Sequence, residues 1–291
     1  MDTSLKENNM FNNQYLMIDE LYLNSIAQKF TPAMIDTLQK TLVKMEAGEA
    51  VNLGKPVLQK EGSRAMISID GPMMYSPSMF DKLFYQAVST QEVQAAIADV
   101  ASDGQIKTVV NNINSPGGEA HQIHKVSADM AQLSNMKATA SVNTGMMCSA
   151  AYFIGSQAGN VFSTDGLNET GSIGTVTLIA DHSKAAEMAG IKIHKIATGE
   201  LKAAGAMGTE LTTGMIAHIQ KKINKMQENF SGAVSAKRSN ADMSDGSEAR
   251  SGASFFQEDA ERLGLSDGIK SIEEAFQFLE QGNRASKLRQ S

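Results

Sequence analysis

From residue 65 onward the apolar positions fall into short runs separated by stretches with helical spacing. Ala65–Asp70 alternates with a period of two, the mark of a strand with one buried face. Ser89-Thr90-Gln91-Glu92 has the form of a capping box, and Val93, Ile97 and Val100 behind it share one helical face. An apolar strand at Ile106–Ile113 follows, then a helix over 121–134, a strand over 138–142, a turn at Asn143-Thr144-Gly145, a helix over 150–157 and a strand over 160–163. This β-α-β rhythm predicts a mostly parallel sheet covered by helices. Further on, Ile191–Ala197 reads as a strand. Met215–Lys237 reads as a long amphipathic helix with Ile216, Ile219, Ile223 and Met226 on its apolar side. The polar stretch Ser239–Gly252 reads as a flexible loop, followed by helices at Gln257–Leu263 and Ile272–Gln281.

The first 61 residues have a different texture. Thr31-Pro32 supplies an N-cap and an N1 proline, and Met34, Leu38, Leu42 and Met45 form a helical stripe, so 13–47 is expected to be a helical preface. A linker rich in Gly and Lys lies near 48–62. The expected organisation is an N-terminal helical extension and linker over 1–61, one α/β domain over 62–280 and a polar tail over 281–291. No internal repeat is evident.

Composition narrows the function classes. At 291 residues with 42% hydrophobic content, the chain can bury a full core. Its 26 basic against 32 acidic residues give a net charge of −6, and no basic stripe stands out beyond the Arg284-Lys287-Arg289 tail, which argues against a nucleic-acid partner. The single cysteine excludes an intramolecular disulfide and points to a reducing, cytoplasmic setting. Metal-ligand spacings and nucleotide-binding clusters are absent, so neither metal nor cofactor is expected. Asp2, Lys6, Glu7, Asp19, Glu20 and Lys29 break the first 30 residues, leaving no run near the ~18–20 apolar residues a bilayer span needs, and no membrane anchor is expected.

Three segments carry candidate chemistry. Met147-Cys148-Ser149-Ala150-Ala151-Tyr152-Phe153 places a serine among small residues where a strand hands over to a helix. The ordinary role for such a serine is an N-cap. The alternative is a nucleophile, because the exposed N–H groups of a helix start can stabilise a developing oxyanion. Ser115-Pro116-Gly117-Gly118 is a sharp turn without bulky side chains, in which backbone N–H groups can approach a ligand. Gly199-Glu200-Leu201-Lys202-Ala203-Ala204-Gly205 sets a lysine among small residues, where the ordinary expectation is a solvated surface lysine. Cys148 would point about 100° away from Ser149 at a helix start and is better read as buried packing.

In this order the segments resemble the signal peptide peptidase A family of the Clp protease and crotonase superfamily. Ser115–Gly118 matches the family's S-P-G-G, Met147–Tyr152 loosely matches A-A-S-G-G-Y, and Gly171–Gly174 matches G-S-I-G. The lysine loop matches around Lys202, and Ala260–Asp267 matches A-x-x-x-G-L-x-D, so the resemblance covers about residues 62–280. It implies an α/β fold, a Clp/crotonase-like layered β-β-α superhelix, and a Ser–Lys dyad. Ser149 carries over as nucleophile, Lys202 as general base, Ser172 as the hydroxyl holding the lysine amine, and the N–H groups of Gly118 and Ala150 as oxyanion hole. Lysine serves as a base only when desolvation lowers its pKa, by up to ~3–5 units in a fully buried site, and the Ala/Gly-rich loop suits such a dry pocket. The dyad is expected within one protomer.

A histidine base of the Clp type would sit about twenty-five residues after the nucleophile, where Ile173-Gly174-Thr175-Val176 stands, and none of the five histidines fits. Ala150-Ala151 departs from the family's Gly-Gly. It keeps the backbone donor and narrows the approach to it.

Within the family, unanchored single-repeat members with a helical preface are similar to phage and prophage capsid assembly, or head maturation, proteases. The expected partner is a peptide or protein substrate such as a capsid or scaffold protein, bound as an added strand, with cleavage after small or modest apolar residues and the enzyme in a homo-oligomer. The expected location is the cytoplasm, with a transient stay inside a procapsid. A cytoplasmic peptidase of leftover signal peptides, a non-catalytic scaffold and, more weakly, a crotonase-type acyl-CoA enzyme are the competing expectations.

Overall fold

The structure is a computed structural model that describes residues 16–18, 37, 40, 41, 43, 44, 47 and 56–288. In chain order the elements are β1 (Leu16–Ile18), β2 (Leu58–Glu61), β3 (Arg64–Asp70), β4 (Met73–Met74), α1 (Met79–Tyr85), β5 (Val88–Ser89), α2 (Thr90–Ser102), β6 (Thr108–Ser115), β7 (Gly117–Glu119) and α3 (Ile123–Met136). They continue with β8 (Ala138–Cys148), α4 (Ala150–Gly155), β9 (Asn160–Ser163), β10 (Glu169–Gly171), α5 (Ser183–Met188), α6 (Thr213–Lys237), β11 (Ser254–Phe255), α7 (Gln257–Arg262) and α8 (Ile272–Leu288).

The main sheet runs β11-β10-β8-β6-β3-β2, with β9 also paired to β8. The pairs β3–β6, β6–β8, β8–β9 and β8–β10 are parallel, as the β-α-β rhythm predicts. Only the edge pairs β2–β3 and β10–β11 run antiparallel. The period-two alternation decides which side chains face which layer. Ala65, Ile67 and Ile69 of β3 and Val109 and Ile113 of β6 face the layer containing α2 and α3. Val110 of β6 and Ala140 and Val142 of β8 face Ala275, Phe276 and Leu279 of α8 on the other side. Each fully buried Ile or Val contributes roughly 1.5–3 kcal/mol of transfer free energy. Arg64 pins α8 to β3 through Glu280 at 2.7 Å and Glu273 at 2.9 Å.

A second, smaller sheet, β1-β7-β4-β5, lies beside the main one and carries the Gly117-Gly118 turn.

Several expectations need correction. The turn foreseen at Asn143-Gly145 lies within β8, which continues to Cys148 with a register shift opposite Ile113–Ser115. Side chains absorb the irregularity: Asn143 Oδ1 accepts from the Gly145 amide at 2.9 Å, and Asn114 Oδ1 accepts from the Met146 amide at 3.2 Å. The linker near 48–62 ends as strand β2, because Gly62 at φ 56° lets the chain turn back onto β3. Ser239–Gly252 is a packed loop whose Ala241, Met243 and Ala249 join the core, with Arg250 paired to Asp245 and Glu248 to Arg262. Ile191–Ala197 forms no strand; it is exposed and has no sheet partner among the described residues. The last helix runs past Gln281 to Leu288.

Leu16–Ile18, foreseen within a helical preface, is a strand on β7. Met34, Leu38, Leu42 and Met45, the expected stripe of that preface, lie outside the described residues, whereas 37, 40, 41, 43 and 44 are helical.

Candidate active site

β8 delivers Ser149 to the mouth of α4, and the backbone there is unusual. Ser149 has φ 54° and ψ −120°, a region that L-residues with a side chain seldom enter and that costs about 1–3 kcal/mol. Its side chain makes no capping bond to α4, so the ordinary N-cap role does not account for the serine. The carbonyl of Ser149 instead accepts the Phe153 amide at 2.8 Å and starts the helix. The hydroxyl donates to the Gly174 carbonyl at 3.5 Å, long for an O–H···O bond and leaving the oxygen only weakly committed. Ser149 is 1% exposed, and Ala150 and Ala151 behind it are fully buried. A sharp strand-to-helix turn that holds a serine in a strained conformation is the geometry of a nucleophile elbow.

The Gly171–Gly174 loop lies against this elbow. The Ser149 amide donates to the Gly171 carbonyl at 2.8 Å. Ser172 is itself at φ 50°, buried, and its amide donates to the Ala253 carbonyl at 2.8 Å. Gln227 of α6 donates to the Ile173 carbonyl at 3.3 Å and ties the loop to that helix. Two strained serines are thus brought together at one place.

Gly118 lies on β7, against which α4 packs. A Cβ at Gly118 would stand 1.9 Å from the Met73 carbonyl oxygen, so only glycine permits this approach of β7 to β4. The Ala150 amide belongs to the first turn of α4, where no intrahelical acceptor exists.

Supports behind the elbow were missed in the sequence. Tyr152 of α4 is fully buried and donates to the Leu265 carbonyl at 3.0 Å, and burial pushes its phenol well above the ordinary value. Leu265 belongs to the Ala260–Asp267 segment, which Arg238 anchors through bonds of 2.7 and 2.8 Å to the Asp267 carboxylate and 3.1 Å to the Gly264 carbonyl. Burial alone would raise the Asp267 pKa, but the Arg238 fork and the Val161 amide hold it below the usual carboxylate range. The available signal was an arginine one turn past buried Val234, at the end of an amphipathic helix.

Lys202 is placed differently. It sits in a single 3₁₀ turn, Glu200–Ala203, within the mostly exposed segment 175–212, and its own side chain is exposed. Its amine makes no hydrogen bond or ion pair among the described residues. Within one chain the structure therefore assembles Ser149, Ser172, Gly118 and Ala150, and leaves Lys202 in solvent rather than in the dry pocket the sequence suggested. Among the described residues no core side chain covers the segment: Leu178, Met188, Ile191, Ile193, Ile196 and Met207 are exposed along it, Ile196 at 97% and Met188 at 89%. The five histidines are all exposed, His121 stacking edge-on to Tyr75 at 4.6 Å, and Cys148 is buried.

The model of peptidase family S49 matches residues 131–286, more than half of the 291-residue chain and the stretch that holds Ser149, Ser172 and Lys202. The chain belongs to peptidase family S49. This S49 chain is 26% identical over 183 residues to a protein of Methanocaldococcus jannaschii named "Putative protease MJ0651", an alignment covering 63% of the chain. The chain spans 58% of the length of that relative. A crystal structure of an enoyl-CoA hydratase/isomerase family member aligns over 80% of the S49 chain and 74% of its own, at 12% identity and a TM-score of 0.38. The layered α/β fold foreseen from the sequence, of the Clp/crotonase type that S49 peptidases share, is the architecture described above. No described helix is long and apolar enough to cross a membrane.

Proposed function

We propose that the chain is a serine endopeptidase working through a Ser149–Lys202 dyad in a catalytic domain spanning about residues 62–280. The observation that carries the reading is the uncapped, left-handed Ser149 at the β8–α4 elbow, a strained conformation that helix capping does not call for. In the proposed reaction the Ser149 Oγ attacks the peptide carbonyl carbon while the Lys202 amine takes its proton, with Ser172 orienting the amine. The Gly118 and Ala150 N–H groups hold the oxyanion, each worth roughly 3–4 kcal/mol in comparable acyl-transfer sites. Collapse breaks the C–N bond, the departing amine takes the proton from Lys202, and water then releases the acyl group from Ser149 by the same route.

A solvated lysine is a poor base, so this reading requires the 175–212 segment to be covered. The exposed Ile191, Ile193, Ile196 and Met207 of the segment that carries Lys202, together with the exposed Ile216 and the partly buried Ile219 and Ile223 of α6, support packing against further copies of the chain. We therefore read the active form as a homo-oligomer in which Lys202 becomes desolvated. The substrate is an extended peptide of a capsid or scaffold protein during phage head maturation, a reading that rests on the sequence resemblance; peptides in the cytoplasm are the competing substrate.

The test is labelling with a serine-directed fluorophosphonate, followed by peptide mapping, at protein concentrations spanning the assembly transition. Labelling of Ser149 that grows with assembly supports the proposal. Turnover that persists in Ser149→Ala overturns it.

A further inference from the structure

β7 is only three residues long, yet it carries Gly118, and its two sides have different partners. On one side Gly118 pairs with Met73 of β4 in parallel register. The other side is an edge, with backbone donors and acceptors that require a partner. A peptide held by strand addition beside the oxyanion turn has this edge available to it, because β4 fills the other. In the structure that edge is already filled. β1 pairs with it antiparallel, Leu16 opposite Glu119, Met17 opposite Gly118 and Ile18 opposite Gly117.

We propose that Leu16–Ile18 is a tethered occupant of the substrate's strand position, which peptide substrates displace. The inference rests on the reading of Ser149 and Gly118 as parts of a peptidase site. A three-residue pairing at the end of a small sheet is weak compared with the seven-residue register that joins β3 to β6, as a displaceable occupant requires. Because the occupant belongs to the same chain as β2 and β3, a displaced strand remains covalently attached to the domain. Its sequence, Leu-Met-Ile, names the ligand class: an extended segment with medium-sized apolar residues on both sides of the position opposite Gly118. With an intramolecular effective concentration of about 1 mM, an occupant of intrinsic affinity about 100 μM would raise KM about tenfold.

The experiment compares the full chain with the triple variant Leu16→Pro, Met17→Pro, Ile18→Pro, which removes every amide donor β1 can offer whichever pairs are hydrogen-bonded, and with a form lacking residues 1–18. Three quantities are read: amide exchange of the peptide fragment that holds Gly118 and Glu119 in the Ser149→Ala background, binding of a fluorescent peptide copying Asn13–Asp19, and KM for a short apolar peptide. Both variants are expected to exchange these amides at least tenfold faster, to bind the copied peptide at least tenfold more tightly than the full chain, and to turn over with a KM about tenfold lower at unchanged kcat. Exchange, peptide binding and KM all unaltered in folded variants would overturn the proposal while leaving the peptidase reading intact. Faster exchange and tighter peptide binding with no turnover in any form would support β1 as occupant of a peptide site and sink the peptidase reading instead. If both variants lose the fold, β1 is a structural strand and the proposal is overturned.

Discussion

The β8–α4 elbow and the 175–212 segment each carry one half of the proposed dyad, and they differ in almost every physical respect. Ser149 is buried, followed by the fully buried run Ala150–Ile154 and braced by Tyr152, while Lys202 is solvated on a stretch whose large apolar residues face water. A nucleophile can be preorganised by the core of its own chain, since strain at one residue is offset by the packing around it. A lysine base needs desolvation, which a surface segment cannot supply by itself. Within this chain the strain sits in the serine while the lysine stays solvated, so the proposed dyad depends on assembly to complete the lysine's environment.

The largest expected effect comes from the elbow. Ser149→Ala should lower kcat for peptide cleavage by about 10⁴-fold or more, with an unchanged circular dichroism spectrum, as losses of single nucleophiles in coupled sites do. Lys202→Ala and Lys202→Arg should both lose activity to a similar extent, Arg because it stays protonated at any useful pH. Full activity of Lys202→Ala would make the exposed segment irrelevant to the chemistry and end the comparison.

Ile196→Asp separates the two regions more finely. It should leave the melting temperature of the isolated chain nearly unchanged, since Ile196 touches little, yet shift the assembly seen by light scattering toward monomer and reduce turnover together with it. Equal turnover from a monomeric variant would show that assembly does not complete the site.

The smallest and most local effects belong to the brace behind the elbow. Asp267→Asn leaves Arg238 buried beside an uncharged partner, and with Asp267 31% exposed the loss should be about 2–3 kcal/mol, below the ~3–5 of a fully enclosed pair. The pH dependence has a fixed sign. Because Asp267 is held below its unfolded value of about 3.9, its contribution is fully present above that pH and is lost as pH falls through the lower folded value. Denaturant midpoints between pH 6 and pH 2 should therefore drop more steeply in the wild type than in Asp267→Asn.

The sequence made the main sheet legible because its strands alternate, or run apolar, within short segments: β9 lies at the expected 160–163, and β3, β6 and α2 within two residues of their expected starts. Gly118 and Ser149 were legible from small residues at turns. The continuation of β8 through Asn143-Thr144-Gly145 was not, since its bulge is stabilised by Asn114 and Asn143 side chains rather than by any periodic pattern. Nor was the Ser239–Gly252 loop, whose polar composition hides three buried apolar residues among ion pairs. Lys202 shows the limit from the other direction: a loop of small residues reads the same whether it lines a dry pocket or lies in water.

The measurement that bears most directly on the account is the site of covalent labelling. The assembled protein treated with a fluorophosphonate should carry one adduct, on Ser149, and its formation should fail in both Ser149→Ala and Lys202→Ala. An adduct on any other residue, or an adduct on Ser149 formed equally well without Lys202, would contradict it.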